Sequence, residues 1–277
     1  MSRLRSHLVT LFDTPDDTPA APGGPLVRVR MLVAYDGTDF HGFAEQRGQR
    51  TVGGVLTEAI TRVVRVPVVL TCAGRTDRGV HAQGQVVSVD LPAGTDLDAL
   101  HRSLLKLCGP TIAVREVSLA APDFDARFSA RSRTYRYTVH NRPVPDPFLV
   151  RTAWHVPVPL EIDLLSLACD PFLGEHDFSA FCRRPKADPG SEPVSLVRRV
   201  LTAGWKDLGD DVLRFEITAN AFCHQMVRSV VGTIVSAGHG HVRAGEIRGI
   251  LAGGDRANAA PIAPPHGLCL WHVEYGR

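Results

Sequence analysis

Asp77 lies between two arginines in the stretch Cys72-Ala73-Gly74-Arg75-Thr76-Asp77-Arg78-Gly79-Val80-His81, a glycine-bracketed polar loop that follows the apolar run Val66-Pro67-Val68-Val69-Leu70. Glycines permit tight turns, and a polar loop at a strand end is a common seat for reactive groups. Guanidinium groups favour the charged form of a nearby carboxyl, so Asp77 is expected to be an anion at neutral pH, suited to act as nucleophile or weak base. An Asp that bonds its own backbone to shape a turn fits the loop equally well. His81 follows as a base might, although a histidine that ties the loop down is the commoner arrangement.

Arg228 is the second chemically suggestive residue. In NAFCHQMVRSVVGTIVSAG (220–238) it is the sole formally charged side chain. At helical spacing it shares a stripe with His224, Val231 and Val235, beside a stripe of Phe222, Met226, Val230 and Ile234. A helix apolar on most sides is buried, and an unpaired buried charge costs several kcal/mol, roughly, even after relaxation. Arg228 therefore needs a carboxylate from outside its helix, and Asp77 is the candidate. The alternative is an arginine whose stem crosses the core while its head reaches water.

The third is ARFSARSRTYRYTVHNR (126–142), where Arg127, Arg131, Arg133, Arg136 and Arg142 interleave with Phe128, Tyr135 and Tyr137. On a strand, Arg133, Tyr135, Tyr137 and Val139 share one face and Arg136 takes the other. Such a strand can offer guanidiniums to phosphates and rings to unpaired bases, or pack its tyrosines on a core. No GxGxxG after a strand and no phosphate-binding P-loop occurs, so no nucleotide cofactor is indicated. LAGGDRA (251–257) reads as a helix C-cap.

The elements that must position these residues follow from periodicity. Residues 1–25 include DTPDDTPAAPGGP and read as a flexible tail. From Leu26, LVRVRMLVAY alternates as a half-buried strand. Val52, Val55, Leu56, Ala59, Ile60 and Val63 make one helical face, with Thr51 placed as its cap. VPVVLTC and GQVVSVDL read as strands on either side of the Asp77 loop. A helix from Thr95-Asp96 through Leu107 and the strands IAVREVSL and RTYRYTVHN follow. The second half repeats the order: strand TAWHVPV, a helix through Leu164 to Phe172 closed by Gly174, strands RRVLTAGW and VLRFEIT, a helix from Ala221 to Ala237 stopped by Gly238, a short helix from Ala244 to Leu251, and strand CLWHVEY. This predicts an α+β protein of two ferredoxin-like βαββα lobes, residues 26–150 and 151–277, whose sheets face a central cleft.

Composition narrows the class. At 277 residues, with 44% hydrophobic and 22% charged residues, the chain has the makings of an ordinary globular protein. It has no run of about 18 apolar residues to span a membrane, and its first residues lack a secretory h-region. Cys72, Cys108, Cys169, Cys182, Cys223 and Cys269 form no CxxC pair or zinc-finger spacing, which suggests reduced thiols, a cytoplasmic protein and no metal site. Arginine outnumbers lysine 28 to 3, a bias that suits bidentate phosphate or carboxylate contacts.

CAGRTDRGVHAQGQVVSV closely resembles the signature of the TruA family of tRNA pseudouridine synthases, A-G-R-T-D-x-G-V-H-x-x-G-Q-V. YDGTDFHGF, FDARFSARSRTYRY, NAFCHQMVRSVVG and GLCLWHVEY match further family segments in order, so the resemblance runs from about residue 27 onward. It implies the pseudouridine synthase fold and an RNA-binding cleft. The activity implied is isomerisation of uridine to pseudouridine in the anticodon stem-loop of tRNA, at nucleotides 38, 39 and 40, by a homodimer without metal or organic cofactor. Asp77 would be the catalytic carboxylate, Tyr135 would stack on the target base, and Arg228 would pair with the aspartate. Arg75, Arg78 and His81 would contact the RNA. Phe43-Ala44 departs from the Trp-Gln usual in the family, and Leu-Lys-Leu-Cys-Gly-Pro (105–110) from its Asn-x-x-Leu-Pro. The basic stretch 183–199 suits either RNA contact or a plain link between strands.

Overall fold

A computed structural model of the chain describes residues 24–184 and 194–276. The expected tail, up to residue 23, and residues 185–193 of the basic stretch lie outside the described residues.

In β1 (Leu26–Tyr35) alternate residues Val29, Met31, Val33 and Tyr35 are buried, while Arg28 on the other face meets Asp90 of the paired strand at 2.6 Å. α1 (Val52–Val64) starts where the Thr51 side chain accepts the Gly54 N–H, and it buries Leu56 and Ile60, each contributing roughly 1.5–3 kcal/mol. β2 (Thr71–Cys72), β3 (His81–Pro92), α2 (Leu97–Cys108), β4 (Ile112–Leu119) and β5 (Ala130–His140) complete the first half. The second half runs β6 (Trp154–His155), α3 (Ile162–Leu167), β7 (Gly174–Asp177), β8 (Val197–Asp207), β9 (Val212–Ala219), α4 (Met226–Gly238), α5 (Ala244–Gly253) and β10 (Leu268–Tyr275).

The α+β class is observed, with the strands joined in one mixed sheet. Its order is β4-β1-β3-β10-β5-β9-β8-β7, with β2 against β3 and β6 against β5. The closing strand is the joint. β10 pairs in parallel with the start of β3, Cys269 opposite His81, and antiparallel to β5, Leu270 opposite Tyr135. The strands of the two halves thus meet edge to edge, and the starts of β3 and β10 and the middle of β5 lie together where the Asp77 loop ends.

Four elements differ from their predicted extents, each for a local reason. Of Val66–Cys72 only Thr71 and Cys72 form a strand, because Pro67 has no N–H to give a ladder and Val69 faces solvent. Trp154–His155 is likewise short and is followed by two prolines, Pro157 and Pro159. The helix expected through Phe172 ends at Leu167, and a separate 3₁₀ turn, Asp170–Phe172, begins around Pro171. The helix expected from Ala221 starts at Met226, since Gln225 takes a left-handed φ of 67° and the Met226 N–H closes a turn on the Cys223 carbonyl at 3.1 Å instead. That turn matters to the site. α4 itself is buried on most sides, as its sequence requires, and Gly254 caps α5 in the left-handed region.

Candidate active site

The Asp77 loop, residues 73–80, is held from beneath by buried polar contacts. Gln85 of β3 donates to the Gly74 carbonyl at 2.7 Å and accepts the Gly74 N–H. The hydroxyls of Thr76 and Tyr35 are 2.8 Å apart. Phe43 N–H donates to the Thr76 carbonyl at 3.1 Å, and Gly79 N–H to that of Phe40. Two glycines of the DGTDFHGF segment allow this close approach. A Cβ at Gly37 would come within 2.0 Å of the Val80 carbonyl oxygen, and one at Gly42 within 2.7 Å of that of Thr76. The turn is closed by backbone, with Val80 N–H on the Asp77 carbonyl and Gly79 at φ 76°. The Asp77 side chain takes no part in shaping it.

That side chain instead meets two groups from the far end of the chain. Arg228 Nη1 donates to one carboxylate oxygen at 3.2 Å, and His224 Nε2 lies 3.2 Å from the other. Arg228 is itself fixed at two points. Its Nε donates to the Ala263 carbonyl at 2.8 Å, and its own carbonyl accepts the Ala263 N–H. The Arg228 side chain is 12% exposed and that of Asp77 24%, so the carboxylate is braced yet reachable. Arg228, anchored at two points, fixes the direction in which the aspartate is aimed.

Tyr135 is buried beside this pair. Its ring packs edge-on against Phe222 at 5.0 Å, and a Cβ at Gly74 would touch its hydroxyl. Burial first, then the Asp77 carboxylate, push its phenol above the ordinary tyrosine range, so it stays protonated. Tyr137, two residues on, is wholly buried and donates to the Pro264 carbonyl. Arg136 points to the other face, as alternation requires, where it stacks on Trp271 and pairs with Glu216 at 2.6 Å.

The remaining sequence candidates separate. Arg75 and Arg78 are exposed on the loop. His81 turns inward: Nδ1 accepts the Gly37 N–H at 3.1 Å, and Nε2 faces the carbonyls of Arg151 and His266 at 2.9 and 3.0 Å. Both ring nitrogens are thereby used in bracing the loop.

Sequence reasoning missed two participants. His224 was placed on a helix stripe, but the turn before α4 carries it to Asp77; its position four residues ahead of Arg228 was the available signal. Arg133, which alternation puts on one face of β5 with Tyr135 and Tyr137, is buried with them. It donates to the carbonyls of Ala73, Arg127, Ala130 and Asn220, among described residues without a carboxylate partner. Burial lowers its pKa. One guanidinium thus ties the root of the Asp77 loop to the end of β9, from which the His224 turn departs. Arg133→Met should cost about 3 kcal/mol of folding stability, since several buried carbonyls lose their donors at once. Arg133→Lys should recover only part, because one ammonium cannot span all four. Urea unfolding checks both, and a loss under about 1 kcal/mol would show the carbonyls finding other donors.

The expectation of separate thiols also changes. Cys182 and Cys223 form a disulfide with Cα atoms 5.8 Å apart, next to the His224 turn. Cys72, beneath the loop, stays free, and burial pushes its thiol up to about 11.

A braced, accessible aspartate thus sits at the junction of a mixed α+β sheet. The model of the tRNA pseudouridine synthase family matches residues 31–134 and 168–276. Those spans hold Asp77, His224 and Arg228, with Tyr135 one residue past the first. A Frankia casuarinae protein named tRNA pseudouridine synthase A is 42% identical, the match covering 90% of each chain. Proteins of that name from Corynebacterium glutamicum and Brevibacillus brevis are 41% and 38% identical over 90% of this chain and 89% and 99% of their own. The chain belongs to the tRNA pseudouridine synthase family, and is by that membership an isomerase. Among the described residues no helix is long and apolar enough to cross a membrane.

Proposed function

We propose that the protein isomerises uridine to pseudouridine in the anticodon stem-loop of tRNA, at nucleotides 38, 39 and 40, acting as a homodimer with Asp77 as the catalytic carboxylate. The reading is carried by one observation: Asp77 meets Arg228 and His224 from a segment about 150 residues away, beside buried Tyr135.

The reaction breaks the bond from uracil N1 to C1′, turns the base, joins C5 to C1′, and exchanges the C5 proton for one on N1. Atoms and electrons balance within the nucleotide. A stem base must leave the stack to be reached, at a cost of a few kcal/mol. Stacking on Tyr135 offsets roughly 1–3 kcal/mol of that, and exposed Arg75 and Arg78 grip the opened strand. Asp77, oriented by Arg228, then acts at the flipped nucleotide.

Transcripts carrying uridine labelled at C5, at position 38, 39 or 40 alone, test this directly. Label should be released from each; release only from transcripts with uridine elsewhere would overturn the site assignment. Tyr135→Leu should lower kcat more than Tyr135→Phe, roughly tenfold against a few-fold, because the ring supplies the stacking. Equal losses would transfer the role to the hydroxyl.

A further inference from the structure

Beside the turn that delivers His224 lies a pocket of about 660 Å³, walled by Cys182, Arg183, Arg184, Gln225, Asp255 and Arg256. Three arginines and one aspartate line it, and Asp255 turns one oxygen to the Ala257 N–H at 2.9 Å while pairing with none of the three. Arg183 and Arg184 are exposed and, among the described residues, have no acidic partner. Arg256 Nη2 donates to the Gln225 side chain at 2.7 Å while its Nη1 finds no acceptor. Such under-used forks suit an anion with several oxygens. The volume falls in the range of small-ligand sites, roughly 300–1,000 Å³, which exceeds a bare inorganic anion.

The pocket is tied to the reaction centre through the backbone. His224, on Asp77, and Gln225, in the pocket wall, are consecutive, and Arg183 N–H donates to the His224 carbonyl at 2.9 Å. The Cα atoms of His224 and Gln225 stand about 3.8 Å apart, so the pocket wall adjoins the residue that meets Asp77.

We propose that this pocket binds a phosphodiester of the substrate strand next to the flipped uridine, with Arg183, Arg184 and Arg256 as the phosphate-binding set. The proposal rests on the RNA-modifying role above and adds to it a site for the flanking backbone. It gives Arg256 a function distinct from Arg228: the first holds the strand, the second the carboxylate.

Full-length protein should be compared as wild type, Arg183→Gln/Arg184→Gln, Arg256→Gln, and Arg248→Gln. The last removes one exposed positive charge from α5 outside the pocket. Binding of a tRNA transcript is measured across a salt series, with label release as a second readout. The pocket variants should bind about tenfold more weakly, with the slope of log K against log salt shallower by roughly 0.7–0.9 per lost phosphate contact. Arg248→Gln should match the wild type. Unchanged affinity and slope in both pocket variants would overturn the proposal, and so would a loss equalled by Arg248→Gln, which would mean general charge alone. Orthophosphate supplies the other arm. Micromolar binding of free phosphate that the pocket variants abolish, with tRNA affinity intact, would reassign the site to a soluble phosphate ligand and overturn the strand assignment. Failure of the wild type to release label would instead strike at the isomerase reading and leave the pocket data standing.

Discussion

Asp77→Asn is expected to bind tRNA with near wild-type affinity and to release label from uridine C5 slower by a factor on the order of 10³ or more, at the upper end of what a positioned acid or base contributes. The amide matches the carboxylate in volume, so the loop should keep its shape. Its scaffold is elsewhere, in Gln85 against Gly74, Thr76 against Tyr35 and the backbone turn at Gly79. What the substitution removes is the negative charge that Arg228 and His224 both address. Gel-shift affinity, thermal melting and label release separate the outcomes. Turnover within tenfold of wild type, with the fold intact, would take Asp77 out of the chemistry.

Arg228→Met should produce the next largest effect: kcat lower by about 10²-fold and stability lower by about 2 kcal/mol. Removing one member of a fully buried pair costs about 3–5 kcal/mol. The lower figure reflects a carboxylate that is one quarter exposed, where solvent screens part of the loss. Arg228→Lys should recover little activity. Arginine reaches the Ala263 carbonyl with Nε and Asp77 with Nη1 at once, and a single ammonium cannot occupy both positions. His224→Gln is expected to be milder, a few-fold in kcat, because that imidazole is 47% exposed and its contact is correspondingly screened. Should Arg228→Lys work as well as the wild type, the two-point anchoring would be irrelevant to catalysis.

How much of this was legible beforehand depends on the range of the interaction. The strand at Leu26–Tyr35, the helix capped by Thr51 and the helix capped by Asp96 are found where their patterns put them. Each is decided by contacts within a few residues, and period and cap are written in the chain. The pairing of Arg228 with Asp77 was inferable because a nearly charge-free helix left its one cation needing a partner.

Other features depended on which distant surfaces meet. Alternation puts Arg133 and Tyr135 on one face of β5 but does not say that this face turns inward and buries both. Residues 221–225 carry an acceptable helical pattern, yet the chain leaves the helix at Gln225 so that Phe222 can meet Tyr135 and His224 can meet Asp77. The fusion of both halves' strands through β10 is likewise absent from any local pattern, because Cys269 and His81 are paired by global packing. From sequence alone, most of this protein's local elements and the pairing of Asp77 with Arg228 could be read. The inward turn of β5, the His224 contact and the common sheet were settled only by tertiary structure, since burial and long-range pairing are properties of the assembled core.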